Sequence, residues 1–241
     1  MKWVGLVAGM ALALSGCGSG DAPKAPPSQQ PGAEAPPEVP VMGEEQRIFA
    51  LGDSLFAGYG LRPEESYPMR LEAALRARGI NARMVNAGVS GDTSADGAGR
   101  LAFALDAQDK PPVLALVCLG GNDMLRGLPP EQTRANLDAI LTELQKRKIP
   151  VVLMGMLAPP NMGADYRAKF DSIYPALAKK HGARLVPFFL QPVMGKAVLI
   201  QQDHIHPNAT GVNEIVAATV GEVAKSLPKS SPGPGGGSPQ G

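Results

Sequence analysis

Two short segments of the sequence carry residues that could form a nucleophilic site. In "FALGDSLFAGYG", residues 49–60, Ser54 follows a glycine and an aspartate at the end of an apolar run. A serine hydroxyl becomes a strong nucleophile only when a base accepts its proton and a third group orients that base. The segment "QDHIHPNATG", residues 202–211, offers both, because Asp203 and His206 are three residues apart and a tight turn could place them on one side. Together these residues are candidates for a Ser54–His206–Asp203 triad.

Other interpretations of the same residues stay open. Ser54 could be an ordinary turn serine, because glycine, aspartate and serine all favour turns. His204 could replace His206 as the base, although its position next to Asp203 would normally point it elsewhere. Asp203, His204 and His206 could instead bind a metal, but no other histidine or free cysteine is expected to complete that site. His181 lies at a predicted helix end, where a positive side chain favours the helix terminus.

The fold class follows from the alternation of apolar runs and helical stripes along residues 46–227. The runs are continuously apolar, as in strands that are buried on both faces of a parallel sheet. Five segments are predicted strands: "RIFAL", "ARMVNA", "PVLALVCL", "PVVLMGML" and "ARLVPFF". Four apolar stripes predict helices: Leu71 and Leu75; Leu137, Ile140, Leu141 and Leu144; Phe170, Ile173 and Leu177, interrupted near Pro175; and Val212, Ile215, Val216, Val220 and Val223. This alternation predicts a three-layer α/β/α sandwich with a central, mostly parallel five-stranded sheet.

Polar, glycine-rich turns follow each of the first three predicted strands. After the first strand comes "GDS", after the second "GVSGDTS" and after the third "GGND". Because ligands of open parallel sheets bind outside the carboxyl ends of the strands, these turns are expected to converge on one site. Their aspartates, Asp53, Asp92 and Asp123, are expected to stabilise turns or cap helices rather than to act in a triad.

Four motifs in order, "GDSL", "GVSGD", "GGND" and "DHIHP", give the chain a family resemblance. The set resembles the SGNH or GDSL hydrolase family, and it is most similar to the bacterial branch of arylesterases and thioesterase/lysophospholipases. The resemblance covers about residues 47–227. The G-x-S-x-G motif of α/β-hydrolases is absent from the sequence, so that fold is not predicted.

The resemblance implies a role for each motif residue. Ser54 would be the nucleophile, His206 the general base and Asp203 the group that orients it. The oxyanion hole would consist of the Ser54 and Gly91 backbone N–H groups and the Asn122 side-chain amide. No metal and no cofactor is implied.

These roles predict a serine esterase that acts on short- to medium-chain carboxylic esters or thioesters, such as aryl esters, acyl thioesters or lysophospholipids. The segment 156–166, with Met124 and Leu125, is expected to form an apolar wall for the acyl chain. Two alternatives remain: a carbohydrate O-deacetylase of the cell envelope, and a non-catalytic surface lipoprotein that serves as a binding module.

Composition limits the partners of the protein. A formal net charge of +1 gives no electrostatic reason to expect a nucleic-acid partner. A monomer is expected, because no pattern indicates a coiled coil. Of the two cysteines, Cys118 lies in an apolar run and is expected to be a buried, inert thiol.

The N-terminal sequence predicts a lipid anchor. After Lys2, the apolar stretch 3–14 is too short to span a bilayer and is typical of a secretory signal. "LSGC" then resembles the lipobox of bacterial lipoproteins, which implies cleavage before Cys17 and acylation of that residue. We therefore expect a signal peptide at 1–16, the lipidated cysteine and a Pro-rich tether at 17–45, a catalytic domain at 46–227 and a disordered tail at 228–241. The expected location is the bacterial cell envelope, with the outer membrane favoured if the source has two membranes.

Overall fold

The computed structural model describes residue 41 and residues 43–228 of the 241-residue chain. The predicted signal peptide, Cys17, nearly all of the predicted tether and most of the predicted tail lie outside the described residues. Within them, no helix combines the length and the apolar character that crossing a bilayer requires.

A five-stranded parallel sheet forms the centre of the molecule. Its strands are β1 (Gln46–Gly52), β2 (Ala82–Gly88), β3 (Leu114–Cys118), β4 (Val151–Met154) and β5 (Arg184–Val186). Their order across the sheet is β2-β1-β3-β4-β5, and every neighbouring pair is parallel. The strand order reverses at β1 and β3, so the loops after these strands diverge to opposite sides and leave a crevice between them.

Helices cover both faces of the sheet. They are α1 (Ser54–Ala57), α2 (Tyr67–Arg76), α3 (Ser94–Asp106), α4 (Gly121–Leu125), α5 (Pro130–Lys146), α6 (Ala164–Asp171), α7 (Ile173–His181) and α8 (Ala209–Ser226). On one face α2 packs against α8, and on the other α5 packs against α3 and α7. The predicted three-layer α/β/α sandwich is confirmed.

The predicted helix around Phe170 is two helices. α6 ends at Asp171 and α7 begins at Ile173. Pro175 has no N–H to donate to the carbonyl of Asp171, four residues earlier, and its ring crowds that carbonyl. The interruption therefore falls one turn before the proline rather than at it.

The central strands are fully buried. Ile48 to Leu51 in β1 and Leu114 to Cys118 in β3 are 0% exposed, which is why their sequences show no alternation of polar and apolar residues. Cys118 is a free, buried thiol, and burial raises its pKa well above the ordinary value. A thiol in this state is a poor nucleophile, as expected for a packing residue.

An aromatic cluster supports the first turn after β1. The Phe56 ring stacks on Tyr67 with 5.2 Å between centroids, and Phe189 meets both rings edge-on. The Tyr67 hydroxyl lies 2.8 Å from the Thr219 hydroxyl, which joins α2 to α8. The turn that carries Ser54 thus rests on a packed layer of the core.

Candidate active site

Three polar turns begin side by side at the carboxyl-terminal edge of the sheet. Gly52 at the end of β1 pairs with Gly88 of β2 on one side and with Cys118 of β3 on the other. Because these strands are parallel and end at the same level, the turns that follow them share one rim. Residues 200–208, which precede α8, meet the same rim through His206.

Ser54 is the first residue of α1, a single helical turn directly after β1. The Asp53 carboxylate caps this turn by accepting a hydrogen bond from the Leu55 N–H at 3.0 Å. The strand-to-helix turn is tight, since a Cβ at Gly52 would lie 2.6 Å from the Phe56 ring. Gly58 ends the turn with φ +79°, a left-handed conformation that suits glycine.

Asp53, directly before Ser54, is almost completely buried. Its side chain is 2% exposed. Burial raises the pKa of Asp53 to about 6, although the Leu55 N–H and the charge of His206 act in the opposite direction. Asp53 therefore holds its proton far more strongly than an exposed aspartate.

A chain of two hydrogen bonds links Ser54 to His206 and His206 to Asp203. The Ser54 Oγ lies 2.8 Å from Nε2 of His206. On the other side of the ring, Nδ1 lies 2.5 Å from Oδ2 of Asp203. Since a carboxylate only accepts, Nδ1 carries the proton and Nε2 is left to accept from the serine hydroxyl. The three residues of the predicted triad are thus brought together.

The Asp203 carboxylate is held in its charged form. Its burial raises the pKa, but its Oδ1 accepts hydrogen bonds from the backbone N–H groups of His206 at 3.0 Å and Ile205 at 2.9 Å. These bonds and the His206 ring outweigh burial and lower the pKa of Asp203 to about 2. At neutral pH Asp203 is therefore an anion facing the imidazole.

The other two histidines lie apart from Ser54. His204 is exposed, with its backbone at φ +61°. His181 ends α7 and contacts α5, with its Nε2 2.6 Å from Asp138 and its Nδ1 3.2 Å from Gln145. Nor do Asp203 and its neighbours form a metal cluster: in the part of the chain that is described, no three His, Cys, Asp or Glu side chains are arranged to hold an ion.

The three predicted oxyanion donors lie together: Gly91 and Asn122 line the same space as Ser54, whose own N–H is the third donor. Gly91 has φ +88°, a conformation that strains residues with a side chain. The Asn122 amide donates to the Asp92 carbonyl at 2.9 Å, which fixes its orientation and leaves its second N–H hydrogen unused by that bond. Arg126 donates to the Gly91 carbonyl at 2.7 Å and so holds this turn in place.

Of the three turn aspartates, only Asp53 is the N-cap of the helix directly after it. Asp92 forms an ion pair with Arg100 at 2.6 Å, and Arg100 also donates to the Gly52 carbonyl at 3.0 Å. Asp123 lies inside α4 and accepts hydrogen bonds from Ser94 and Thr133. Thr93 caps α3 instead. Neither Asp92 nor Asp123 is the N-cap of its own helix, so that part of the expectation is wrong for them. Asp123 instead accepts the first N–H of the neighbouring helix α3, and Asp92 ties its turn to Arg100.

A groove of about 470 Å³ opens beside the Ser54 hydroxyl. Its walls are mostly apolar and come from five separate segments of the chain: Leu55, Tyr59, Met124, Leu125, Met156, Leu190 and Ile205. Met124 and Leu125 line it as expected. Of the expected segment 156–166, Met156 lines the groove, so most of that expectation is wrong. Leu190 and Ile205 take the place of the rest.

Sequence reasoning missed two residues beside the site, Tyr59 and Gln201. The Tyr59 ring lies against His206, with 4.6 Å between ring centroids, and the Gln201 amide contacts the backbone of Tyr59 at 2.7 Å. An aromatic between two glycines in the turn after Ser54 could have pointed to Tyr59. Gln201 shows no such signal, because its partner is 142 residues away.

Comparisons with known proteins agree with this geometry. Residues 50–213 match the GDSL-like lipase/acylhydrolase family. The chain is 37% identical to an arylesterase of Vibrio mimicus over 182 residues, which cover 76% of this chain and 90% of the relative. It is 40% identical to thioesterase 1/protease 1/lysophospholipase L1 of Escherichia coli K12, covering 67% of this chain and 75% of that protein. The crystal structure of AlinE4, an SGNH-hydrolase family esterase, is 62% identical with a TM-score of 0.66, and the match covers 78% of this chain and 99% of that one.

The chain belongs to the GDSL-like lipase/acylhydrolase family, as its four motifs predict. It is a carboxylic ester hydrolase of that family, so the prediction of a serine esterase is confirmed.

Proposed function

We propose that this esterase uses Ser54 as its nucleophile to hydrolyse short- to medium-chain carboxylic esters and thioesters, such as aryl esters, acyl thioesters or lysophospholipids. The observation that carries the proposal is the hydrogen-bond chain Ser54–His206–Asp203 at 2.8 and 2.5 Å, placed at the mouth of an apolar groove. Relatives described as an arylesterase and as a thioesterase/lysophospholipase support this substrate range.

In the acylation step, the Ser54 Oγ attacks the carbonyl carbon of the substrate. As the C–O bond forms, the hydroxyl proton moves to Nε2 of His206, and the carbonyl electron pair moves to oxygen. Asp203 stays charged and stabilises the imidazolium, because hydrogen bonds lower its pKa to about 2. The tetrahedral intermediate then collapses, His206 gives the proton to the leaving alcohol or thiol, and an acyl-Ser54 ester remains.

The oxyanion of that intermediate requires donors that already point at it. The N–H of Ser54 and Gly91 and the free hydrogen of the Asn122 amide supply three in our proposal. Each such donor typically contributes about 2.7–4 kcal/mol to the transition state. The Asp92 carbonyl and the Arg126 guanidinium orient two of them through bonds of 2.9 and 2.7 Å.

Deacylation repeats the same chemistry with water. The His206 ring is neutral again after the leaving group has departed. It accepts a proton from a water molecule while the water oxygen attacks the acyl carbon. Collapse of the second intermediate returns the proton to the Ser54 oxygen and releases the acid. Every proton is therefore carried by one imidazole nitrogen.

The apolar lining of the groove suits an acyl chain better than a sugar. Its side chains are apolar apart from the reacting groups and Ser90 and Asp53, and about 470 Å³ accommodates a short or medium chain. A sugar bound in the groove would turn hydroxyls away from water toward Leu125 and Ile205, which offer no hydrogen-bond partner, and this disfavours the O-deacetylase alternative.

Initial rates on nitrophenyl esters from acetate to palmitate test the proposal, with wild type beside Ser54→Ala. We expect a maximum at short or medium chains and a loss of at least about 10³-fold in kcat for the variant, since the covalent route is removed. Ser226→Ala, at the far end of α8, serves as the control and should keep full activity. Equal rates for wild type and Ser54→Ala would contradict the proposal, and activity restricted to acetylated sugars would favour the deacetylase.

We also propose that the protein is a monomer held in the cell envelope by acyl chains on Cys17. The lipobox-like "LSGC" supports the anchor. Two or three acyl chains suffice for stable attachment, whereas one does not.

A further inference from the structure

We propose that Gln201 is a positioning residue that holds the His206 loop against the turn behind Ser54. The inference rests on the proposed roles of Ser54 and His206. The Gln201 amide nitrogen donates to the Tyr59 carbonyl at 2.7 Å and to the Pro207 carbonyl at 2.9 Å. One side chain thus connects the residue that follows His206 to the turn that starts at Ser54.

The loop that carries His206 is closed on itself but weakly attached to the nucleophile. The backbone N–H of Gln201 donates to the His206 carbonyl at 2.7 Å, and Ile200 and Pro207 form an antiparallel bridge. These bonds maintain the shape of the loop. Between residues 200–208 and residues 54–61 as described, the hydrogen bonds are Gln201–Tyr59 and the reacting pair Ser54–His206.

The Ser54–His206 bond breaks in every catalytic cycle, whereas the Gln201–Tyr59 bond takes no part in the chemistry. When His206 is protonated and Ser54 acylated, the Gln201–Tyr59 bond still spans the two segments. If the His206 loop moved about 1 Å away from Ser54, the 2.8 Å distance between Ser54 Oγ and His206 Nε2 would exceed hydrogen-bond range. Errors of that size cost up to about 100-fold in rate.

The Gln201–Tyr59 bond also affects the contact between the Tyr59 ring and His206. Its centroid lies 4.6 Å from that of His206, so one face of the imidazole is covered by the same residue whose carbonyl Gln201 holds. Tyr59 is 53% exposed, so packing holds its ring only in part. Fixing its backbone therefore also fixes the ring that limits rotation of His206.

Gly60 leaves room for the Gln201 amide. A Cβ at residue 60 would lie 2.2 Å from Oε1 of Gln201, and Gly60 has φ +72°. A methyl group there would have to displace the amide, since Oε1 is the end of a flexible side chain. Gly60→Ala is thus a second, independent way to break the contact.

Kinetics of four single variants and of the double variant Gly60→Ala/Gln201→Ala on nitrophenyl butyrate test the inference. Gln201→Ala removes the amide, Gln201→Glu keeps its shape but removes both donors, and Gly60→Ala displaces it. Gln202→Ala is the matched control, because Gln202 is the exposed neighbour in the same loop. Each protein is assayed well below its measured Tm, and phosphonylation of Ser54 by a nitrophenyl phosphonate is timed in parallel.

We expect Gln201→Ala and Gln201→Glu to lower kcat by about 10- to 100-fold, with KM changed less than about twofold. Phosphonylation should slow by a similar factor. Gln202→Ala should match wild type. Gly60→Ala should lower kcat by a larger factor in the wild-type background than in Gln201→Ala, because in the latter the contact is already absent and only the strain of a side chain at φ +72° remains.

Several results would overturn the inference. Wild-type kcat in both Gln201 variants, a loss that follows only the unfolded fraction, or an effect confined to KM would each assign Gln201 a purely structural or binding role. If Gln201→Ala does not fold, Gln201→Glu and Gly60→Ala decide by the same criteria. Full activity in Ser54→Ala would instead contradict the proposed function itself.

Discussion

Two carboxyl groups near His206 have opposite properties, and their surroundings explain why. Asp53 is buried with one N–H donor, so its pKa rises to about 6, whereas Asp203 accepts two backbone N–H bonds and faces the ring, so its pKa falls to about 2. Asp203 is therefore the anion that orients the imidazole. Asp53 is a capping residue whose burial costs stability once it ionises.

Stability should depend on pH through Asp53. The folded chain binds this proton up to about pH 6, while the unfolded chain releases it near pH 3.8. Between these values the folded state binds more protons, so wild-type stability falls as pH rises. Asp53→Asn has no such titration and keeps an acceptor for Leu55. Its free energy of unfolding minus that of wild type should increase by at most about 3 kcal/mol from pH 4 to pH 6 and then stay level.

Denaturant unfolding at half-unit pH steps measures this difference. Asp96→Asn is the control: its pKa is lowered by its bonds to Thr93, so its difference from wild type should not change above about pH 5. A flat curve for Asp53→Asn would contradict the raised pKa.

At the scale of the elements, a single buried carboxylate joins three helices. Asp123 of α4 accepts from the Ser94 N–H at 2.7 Å, from the Ser94 hydroxyl and from Thr133 of α5 at 3.1 Å. The Asn136 amide of α5 also donates to the Ser94 hydroxyl at 3.0 Å. This network fixes the start of α3 against α4, and so places the Gly91 turn beside Asn122.

Asp123→Ala should therefore destabilise the fold by about 3 kcal/mol, because three buried donors lose their acceptor together. Thr133→Val, which removes one donor and keeps the shape, should cost about 1 kcal/mol. Urea unfolding of both variants checks the ratio. Equal losses would show that Asp123 does not organise the network.

At the scale of the whole molecule, the groove and the start of the described domain lie at opposite ends of the sheet. β1 begins at Gln46 and ends at Gly52, directly before Ser54. If Cys17 is acylated as proposed, the tether joins the end of the domain that faces away from the groove. The groove would then be open to soluble esters as well as to lipids that leave the bilayer.

Cys17→Ala tests the anchor. Without acyl chains, the protein should move from the membrane fraction to the soluble fraction, while kcat on soluble esters stays within about twofold of wild type. Fractionation with immunoblotting and mass spectrometry of the N-terminal peptide provide the measurement. A wild-type protein with an unmodified Cys17 would contradict the lipoprotein proposal.

The sequence alone indicated the chemistry and the class of fold. Continuous apolar runs predict buried parallel strands because burial on both faces removes alternation, and each motif of the site is local to one turn. The same locality limits precision at the ends of elements. "ARLVPFF" forms only the three-residue strand β5, since pairing with β4 extends only from Arg184 to Val186.

Only the tertiary structure determined which distant residues meet. The Ser54–His206 bond joins positions 152 apart, and the Gln201–Tyr59 bond joins positions 142 apart. The groove wall likewise exchanges most of segment 156–166 for Leu190 and Ile205. Such contacts depend on the order of strands in the sheet and on the path of each loop, which are set by packing between distant segments rather than by the residues next to them in the chain.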